Sequence, residues 1–346
     1  MRVLVADTFP DTFVADLTDR GHESTYRPDT AADQLPSCLA GVDILVVRST
    51  RVPREALEAA DALRLVIRGG SGTNTIDCAA AAERGIYVCN VPGRNAVAVA
   101  ELAVGLLIAL DRHIPDNVSD LRAGRWDKKR YAGGRGILGR RVGVVGLGQV
   151  GLAFAERAAA LGARVCAVAK PERSPEVVER ARAIRVDFVD DLETLAQTCD
   201  VLSFHVPATE STRHLVGHDL LARVQPGALI LNTSRAEILD EGALIEAMDS
   251  KGVCAGLDVF ADEPAASTGA IDSRLARHPN VYGTHHIGAS TEQAQQAIAA
   301  EVLGMIAAFQ SGTVVHCVNL QGSTDASAAG HGRAISTASS DAASRD

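Results

Sequence analysis

The chain has 346 residues, more than one hydrophobic core usually organises, so two domains are expected. Hydrophobic residues make up 47% and charged ones 22%, an ordinary globular balance, and the net charge of −9 argues against a nucleic-acid binder. Seven cysteines are scattered without a C-x-x-C pair or metal-like clustering, which suits a reducing compartment and predicts no metal site. The opening "MRVLVADTFPDTF" lacks the apolar region of a signal peptide, and no apolar run reaches the roughly 20 residues of a bilayer span. The expectation is a cytoplasmic protein with neither nucleic acid nor membrane as partner.

Short apolar runs open the chain. Val3–Ala6, Ile44–Val47, Leu65–Ile67 and Ile86–Cys89 are apolar without alternation, as in buried parallel strands. The stretches between them, "REALEAADAL" and "DCAAAAERG", read as helices, the second closing at Gly85. This β–α alternation predicts an α/β domain with a parallel sheet. "VAVAELAVGLLIAL", Val97–Leu110, reads as a helix apolar enough to be buried between domains or subunits. A second α/β series starts at Arg141, with strands at Val142–Val145, Arg164–Val168, Val201–Phe204, Ala228–Asn232, Cys254–Leu257 and Val281–Gly283. A helix after Gly288 could return the chain to the first domain. The predicted division is 1–97 plus 290–320 for a discontinuous substrate-binding domain and 98–289 for a dinucleotide-binding domain. From 321 to 346 the composition is too poor in large apolar residues to offset ordering entropy, and a disordered tail is expected.

"RVGVVGLGQVGLAFAERAAALGARVCAV" holds G-x-G-x-x-G at Gly146, Gly148 and Gly151, between a strand and a helix with Val150, Phe154, Ala158 and Leu161 on one face. Gly146 allows the tight turn, Gly148 lets backbone approach a pyrophosphate, and Gly151 lets helix and strand pack closely. Free N–H groups at the helix start face the anion. A glycine-rich turn without a ligand is the alternative. An acid binding the ribose hydroxyls is expected about 20 residues on. Here "AVAKPERS" presents Lys170 and Arg173 instead. Either they pair with a 2′-phosphate, so that NADP is preferred to NAD, or they are solvated loop residues.

Three further stretches end strands: "LILNTSRAEILDE" with Arg235, "GLDVFADEP" with Glu263, and "YGTHHIGAST" with His285 and His286. Ligands bind beyond the carboxyl ends of such strands, so these residues could meet one crevice. With "VVRSTRV", "VIRGGSGTNTID", "GRNAVAVAELAVGLL" and "FHVPATEST", they make the chain resemble the D-isomer-specific 2-hydroxyacid dehydrogenases from about Val3 to Asn319. The likeness is greatest to the D-3-phosphoglycerate dehydrogenase branch, in a short form without its C-terminal serine-sensing domain.

The resemblance implies two Rossmann-like doubly wound parallel-sheet domains and an enzyme using NAD or NADP. It implies His286 as acid/base, Glu263 as its partner and Arg235 as the grip on the substrate carboxylate. These types suit the chemistry, because hydride addition to a ketone builds negative charge on oxygen, which a fixed cation and a proton donor stabilise. Asp258 corresponds to a residue binding the nicotinamide carboxamide, or else caps the next turn. The implied cofactor contacts also include Val97, Gln149, Val150, His205, Pro207, Thr212, Thr233, Ser234, Gly288 and Ala289. Pro207 and Thr212 could equally be plain loop geometry. Two departures stand out: His285 replaces the family's Pro, and Ala236 replaces the Gly after Arg235. Ala236 is strained if that position needs φ > 0.

Arg48 and Arg68, with Gly69, Gly70, Ser71 and Asn95, are the implied substrate contacts; solvated surface arginines are the alternative. The resemblance implies 3-phosphoglycerate/3-phosphohydroxypyruvate, its distal phosphate on Arg48 and Arg68; two arginines suit any doubly charged anion, so sulfolactate and phosphonolactate are alternatives, as is hydroxypyruvate/glyoxylate reduction, which would leave the arginines underused. "LRAGRWDKKRYAGG" resembles a loop near the family's subunit interface, so a homodimer or dimer-based oligomer is implied. A reading of another class is a non-catalytic, nucleotide-sensing co-regulator.

Overall fold

The computed structural model describes residues 1–264 and 268–319; the stretch 321–346 read as a tail lies outside them. The described chain divides into two compact units, Met1–Asn95 joined by residues 292–319, and Ala96–Thr291.

The first unit carries β1 (Arg2–Val5), β2 (Glu23–Tyr26), β3 (Ile44–Val47), β4 (Leu65–Arg68) and β5 (Tyr87–Asn90), all parallel, in the order β2-β1-β3-β4-β5. β3 is buried at every position, which is why its sequence is an unbroken apolar run. β2, "ESTY", is a largely exposed edge, so no such run marks it and the sequence reading passes over it. The helix Glu292–Gln310 supplies Ile298, Val302 and Ile306 to the core on one face of the sheet; Leu57 and Ala81 lie in the core on the other. The strand order reverses between β1 and β3, where parallel sheets open a crevice.

The second unit carries β6 (Arg141–Val145), β7 (Arg164–Val168), β8 (Asp187–Val189), β9 (Val201–Phe204), β10 (Leu229–Asn232), β11 (Cys254–Leu257) and β12 (Val281–Gly283). They are parallel in the order β12-β11-β10-β9-β6-β7-β8, reversing between β6 and β9. The edge strand β8, "DFV", is short and exposed and is again absent from the sequence reading. In the helix Gln149–Ala160 the buried face is Gly151, Leu152, Phe154, Ala155 and Ala158; Leu161 falls beyond the helix end and is exposed, contrary to its expected place on that face.

The apolar helix Ala96–Arg112 packs within the second unit, where its Ala100, Ala103, Leu106, Leu107 and Leu110 share a core with Leu152, Phe154 and Leu231. Its end is fixed by Asp111, whose Oδ1 accepts from Arg140 Nη1 at 2.9 Å and Oδ2 from Gly136 N–H at 2.9 Å. Both charged side chains are buried. Asp111→Ala strands the Arg140 charge, and urea unfolding is expected to show a loss of about 3–5 kcal/mol. A loss under about 1 kcal/mol would mean that the pair carries no such weight.

Candidate active site

In the second unit, Gly146 follows β6 with φ +98°, and a Cβ there would stand 2.6 Å from the His205 carbonyl oxygen. A Cβ on Gly151 would lie 1.8 Å from the Gly146 oxygen. The protein's own packing therefore demands both glycines. Gly148 is different: it is exposed, and a Cβ would meet nothing within 4 Å. Beside it the helix Gln149–Ala160 begins, with Gln149 exposed and Val150 half-buried. Open space over a helix N-terminus at the strand reversal suits a pyrophosphate. The facing β9 end presents His205, whose ring lies against Phe154 and whose Nε2 is 2.8 Å from Ser203 Oγ. Burial pulls its imidazole down to about 3, so it is neutral, and its buried Nδ1 has no partner among the described residues.

Beyond β7, Lys170 is exposed. Arg173 folds back: its guanidinium donates to the Val168 carbonyl and lies 5.1 Å from the centre of the Phe188 ring. In the loop after β9, Thr212 Oγ1 donates to the Pro207 carbonyl at 2.6 Å and accepts from Thr209 N–H at 2.8 Å. Those two residues thus close a turn.

β10 ends at Asn232, which the sequence reading did not single out. Its Oδ1 accepts from Ser234 N–H and Oγ, and its Nδ2 donates to the Arg235 carbonyl at 2.8 Å. This fixes the bend that presents Arg235. The Thr233 hydroxyl in the same bend is buried without a partner among the described residues. Arg235 Nη1 donates to Ser234 O at 2.7 Å. Ala236 starts the short 3₁₀ turn Ala236–Ile238 and does not have positive φ, so its methyl is not strained.

Directly after β11 comes Asp258, expected to touch the cofactor. Its residue is only 1% exposed and its carboxylate is turned inward. Oδ1 accepts from Thr284 Oγ1 at 2.6 Å and Ile287 N–H at 2.9 Å, and Oδ2 accepts from Gly288 N–H at 2.8 Å. Its carbonyl accepts from His286 N–H at 2.8 Å. Asp258 thus wraps the loop after β12 around itself and holds His286 at φ +51°. Thr284 had no sequence signal beyond its place at a strand end. Ala289 is half-buried, and His285 and Val97 are exposed.

His286 Nδ1 donates to Glu263 Oε2 at 2.8 Å. Glu263 Oε1 accepts from Phe260 N–H at 2.9 Å, and the next residue, Ala261, donates its N–H to Glu241 Oε1 at 3.0 Å. Two carboxylates therefore brace this loop, and Glu241 is a third residue that the sequence reading missed. The hydrogen bond to Glu263 raises the His286 imidazole above its ordinary value against the opposing effect of burial. For Glu263, burial pushes upward, but bonds from His286 and Phe260 N–H, with the charges of His286 and Arg235, hold it below the ordinary range. Arg235, Glu263 and His286 are therefore close enough to feel one another's charge.

In the first unit, Asp7 beyond β1 accepts from the N–H groups of Arg48, Ser49 and Thr50 and from Ser49 Oγ, which fixes the loop after β3. Arg48 Nη1 donates to Thr8 O at 3.1 Å. A Cβ on Gly70 would lie 1.7 Å from Arg68 Nη1, and one on Gly69 3.1 Å from Arg48 Cγ. The two glycines make room for the two arginines. Ser71 is exposed, its carbonyl accepting from Asn90 Nδ2 at 2.6 Å, and Asn95 is half-buried.

Among the described residues no helix is long and apolar enough to cross a membrane, and no cluster of metal-ligand side chains occurs. Residues 104–288 match the family profile "D-isomer specific 2-hydroxyacid dehydrogenase, NAD binding domain". The chain is 41% identical over 278 residues to the hydroxypyruvate reductase of Thermotoga maritima, covering 79% of this chain and 87% of that one. It is 38% identical over 299 residues to the D-3-phosphoglycerate dehydrogenase of Methanocaldococcus jannaschii, covering 86% of this chain and 55% of that one, so it spans about half that relative's length. Among solved structures, the apo D-lactate dehydrogenase of Escherichia coli matches with a TM-score of 0.76 and 26% identity, over 90% of this chain and 98% of that one. With a glycine-loop cradle and parallel sheets of this kind, the chain belongs to the D-isomer specific 2-hydroxyacid dehydrogenases, NAD-binding oxidoreductases built on Rossmann-type folds.

Proposed function

We propose that the protein transfers a hydride between a nicotinamide cofactor and a small anionic D-2-hydroxyacid/2-keto acid pair, with 3-phosphoglycerate/3-phosphohydroxypyruvate as the first candidate. The observation that carries the reaction is the 2.8 Å contact of His286 with Glu263 beside Arg235. The bound nicotinamide supplies or accepts the hydride. Gly148 and the start of the helix at Gln149 would hold the pyrophosphate, in a turn that Gly146 and Gly151 make possible, and the Thr233 hydroxyl and His205 Nδ1, without partners among the described residues, would offer polar contacts to the cofactor. Arg235 binds the substrate carboxylate and stabilises charge growing on the keto oxygen. With Nδ1 committed to Glu263, His286 passes its proton to that oxygen from Nε2 in reduction and takes it back in oxidation.

The Arg48 and Arg68 pair suits a substrate with a second anionic group, which supports the phosphorylated acid. Hydroxypyruvate is the second reading, favoured by the Thermotoga maritima relative, of which the chain covers 87%. Ranking kcat/KM for phosphohydroxypyruvate, sulfopyruvate, phosphonopyruvate, hydroxypyruvate and glyoxylate separates them. A preference for hydroxypyruvate over every doubly charged acid removes the phosphorylated reading.

The exposed Lys170 supports a preference for NADP, since an ammonium at that strand tip pairs with a 2′-phosphate and cannot accept from a ribose diol. Arg173, already bonded to Val168, supplies a fixed charge nearby. Lys170→Asp is expected to move the NADP/NAD ratio of kcat/KM toward NAD by about tenfold, the worth of one lost exposed charge contact plus one repulsion. An unchanged ratio means that Lys170 does not read the ribose.

A further inference from the structure

Segment 313–319 runs back along an open sheet edge. β5 is the edge strand of the first sheet, and Cys89 on it faces Cys317 across an isolated antiparallel bridge. The bonds around the bridge run from Asn90 N–H to His316 O at 3.2 Å and from Val318 N–H to Val88 O at 2.8 Å. Neither uses a backbone group of the two cysteines, so they form a non-hydrogen-bonded pair. In such pairs the Cα atoms stand about 4.5 Å apart with side chains on one face. A disulfide needs a Cα separation of about 4.4–6.8 Å.

The side chains agree with the backbone. Cys89 is buried in the core with Val3, Phe13 and Val314, and Cys317 packs half-buried against that same core. Cys317 acts on the Cys89 thiol and, with burial, raises it. Asn319 locks the register: Nδ2 donates to Ile86 O at 2.8 Å, while Oδ1 accepts from Val88 N–H at 3.0 Å and from Cys317 Sγ at 3.1 Å.

We propose that Cys89 and Cys317 are a modification site that closes to a reversible disulfide with low-molecular-weight disulfides such as oxidised glutathione, stapling segment 313–319 to β5. The more accessible Cys317 attacks as the thiolate, giving a mixed disulfide and one released small thiol. Cys89 gives up its proton to solvent and attacks the Cys317 sulfur, and the second small thiol leaves. Two protein thiols are oxidised, and one small disulfide is reduced to two thiols. Because Cys317 and burial raise the Cys89 thiol, the second step is the slow one. The closed ring takes in residues 90–316, including all of Ala96–Thr291. Cross-links closing long loops restrict the unfolded chain most in the chain-entropy view.

Cys78 is the competitor. Its thiol interacts electrostatically with Cys317, but it packs against the core on the other sheet face. The test incubates the full-length protein with oxidised glutathione at mildly alkaline pH, alkylates it, and maps peptides by mass spectrometry. Wild type and Cys78→Ser should yield a peptide joining Cys89 to Cys317 that reductant opens. Cys89→Ser should stop at a mixed disulfide on Cys317, and Cys317→Ser should give no cross-link. The oxidised wild type should melt above the reduced form, a difference absent from Cys317→Ser. Full alkylation of both thiols after oxidation, or a peptide joining Cys317 to Cys78, overturns the proposal.

Discussion

His286→Asn is expected to lower kcat by about 10²–10⁴-fold in either direction, the usual contribution of a positioned acid/base. Asn is the informative replacement because it tolerates the left-handed backbone found at φ +51°, so the loss reports chemistry rather than strain. Glu263→Gln sharpens this. The hydrogen bond to Glu263 is the largest cause raising the His286 imidazole. Reduction needs that imidazole protonated, so wild-type kcat/KM should fall as pH rises through the raised value, while oxidation should gain there. Without the carboxylate, both midpoints should move to lower pH. A Glu263→Gln profile superimposable on wild type would remove the dyad from the mechanism.

Asp258→Ala is expected to lower kcat by about 10²-fold, the scale of a misplaced catalytic group. The mutation frees the hydroxyl of Thr284 and the N–H groups of Ile287 and Gly288, and with them the support that holds His286 in position. Unfolding should also become easier by about 1–3 kcal/mol for each buried donor left unpaired. Cofactor affinity, followed by nicotinamide fluorescence, should stay within about threefold, less than one lost hydrogen bond is worth. The opposite pattern, with kcat kept and cofactor Kd raised, would return Asp258 to direct contact with the carboxamide.

The contrast between His286 and Asp258 shows what is legible in this sequence. Buried parallel strands such as β3 and β9 are visible because they are apolar on both faces, whereas the edges β2 and β8 carry ordinary polar residues and leave no pattern. The glycine loop is visible because its spacing follows from backbone geometry, and the structure separates its parts: Gly146 and Gly151 serve the protein's own packing, while Gly148 faces open space. Arg235, Glu263 and His286 are legible as residue types in characteristic strings.

The direction in which a side chain is used is not legible. Asp258 points inward, Arg173 is held by Val168, and Asn232 and Glu241 brace bends that present other residues. Such roles depend on partners brought together by the sheet. Cys89 and Cys317, far apart in the chain, meet for the same reason and make the scattered cysteines less scattered than their spacing suggests.

The most direct measurement is the nicotinamide absorbance of the purified, folded protein mixed with NADPH or NADH and phosphohydroxypyruvate or hydroxypyruvate. The account predicts saturable oxidation of the reduced cofactor that Arg235→Ala and His286→Asn each slow by about 10²-fold or more. A folded protein that binds the cofactor tightly but turns over none of the 2-keto acids in the panel would contradict it and favour a nucleotide sensor.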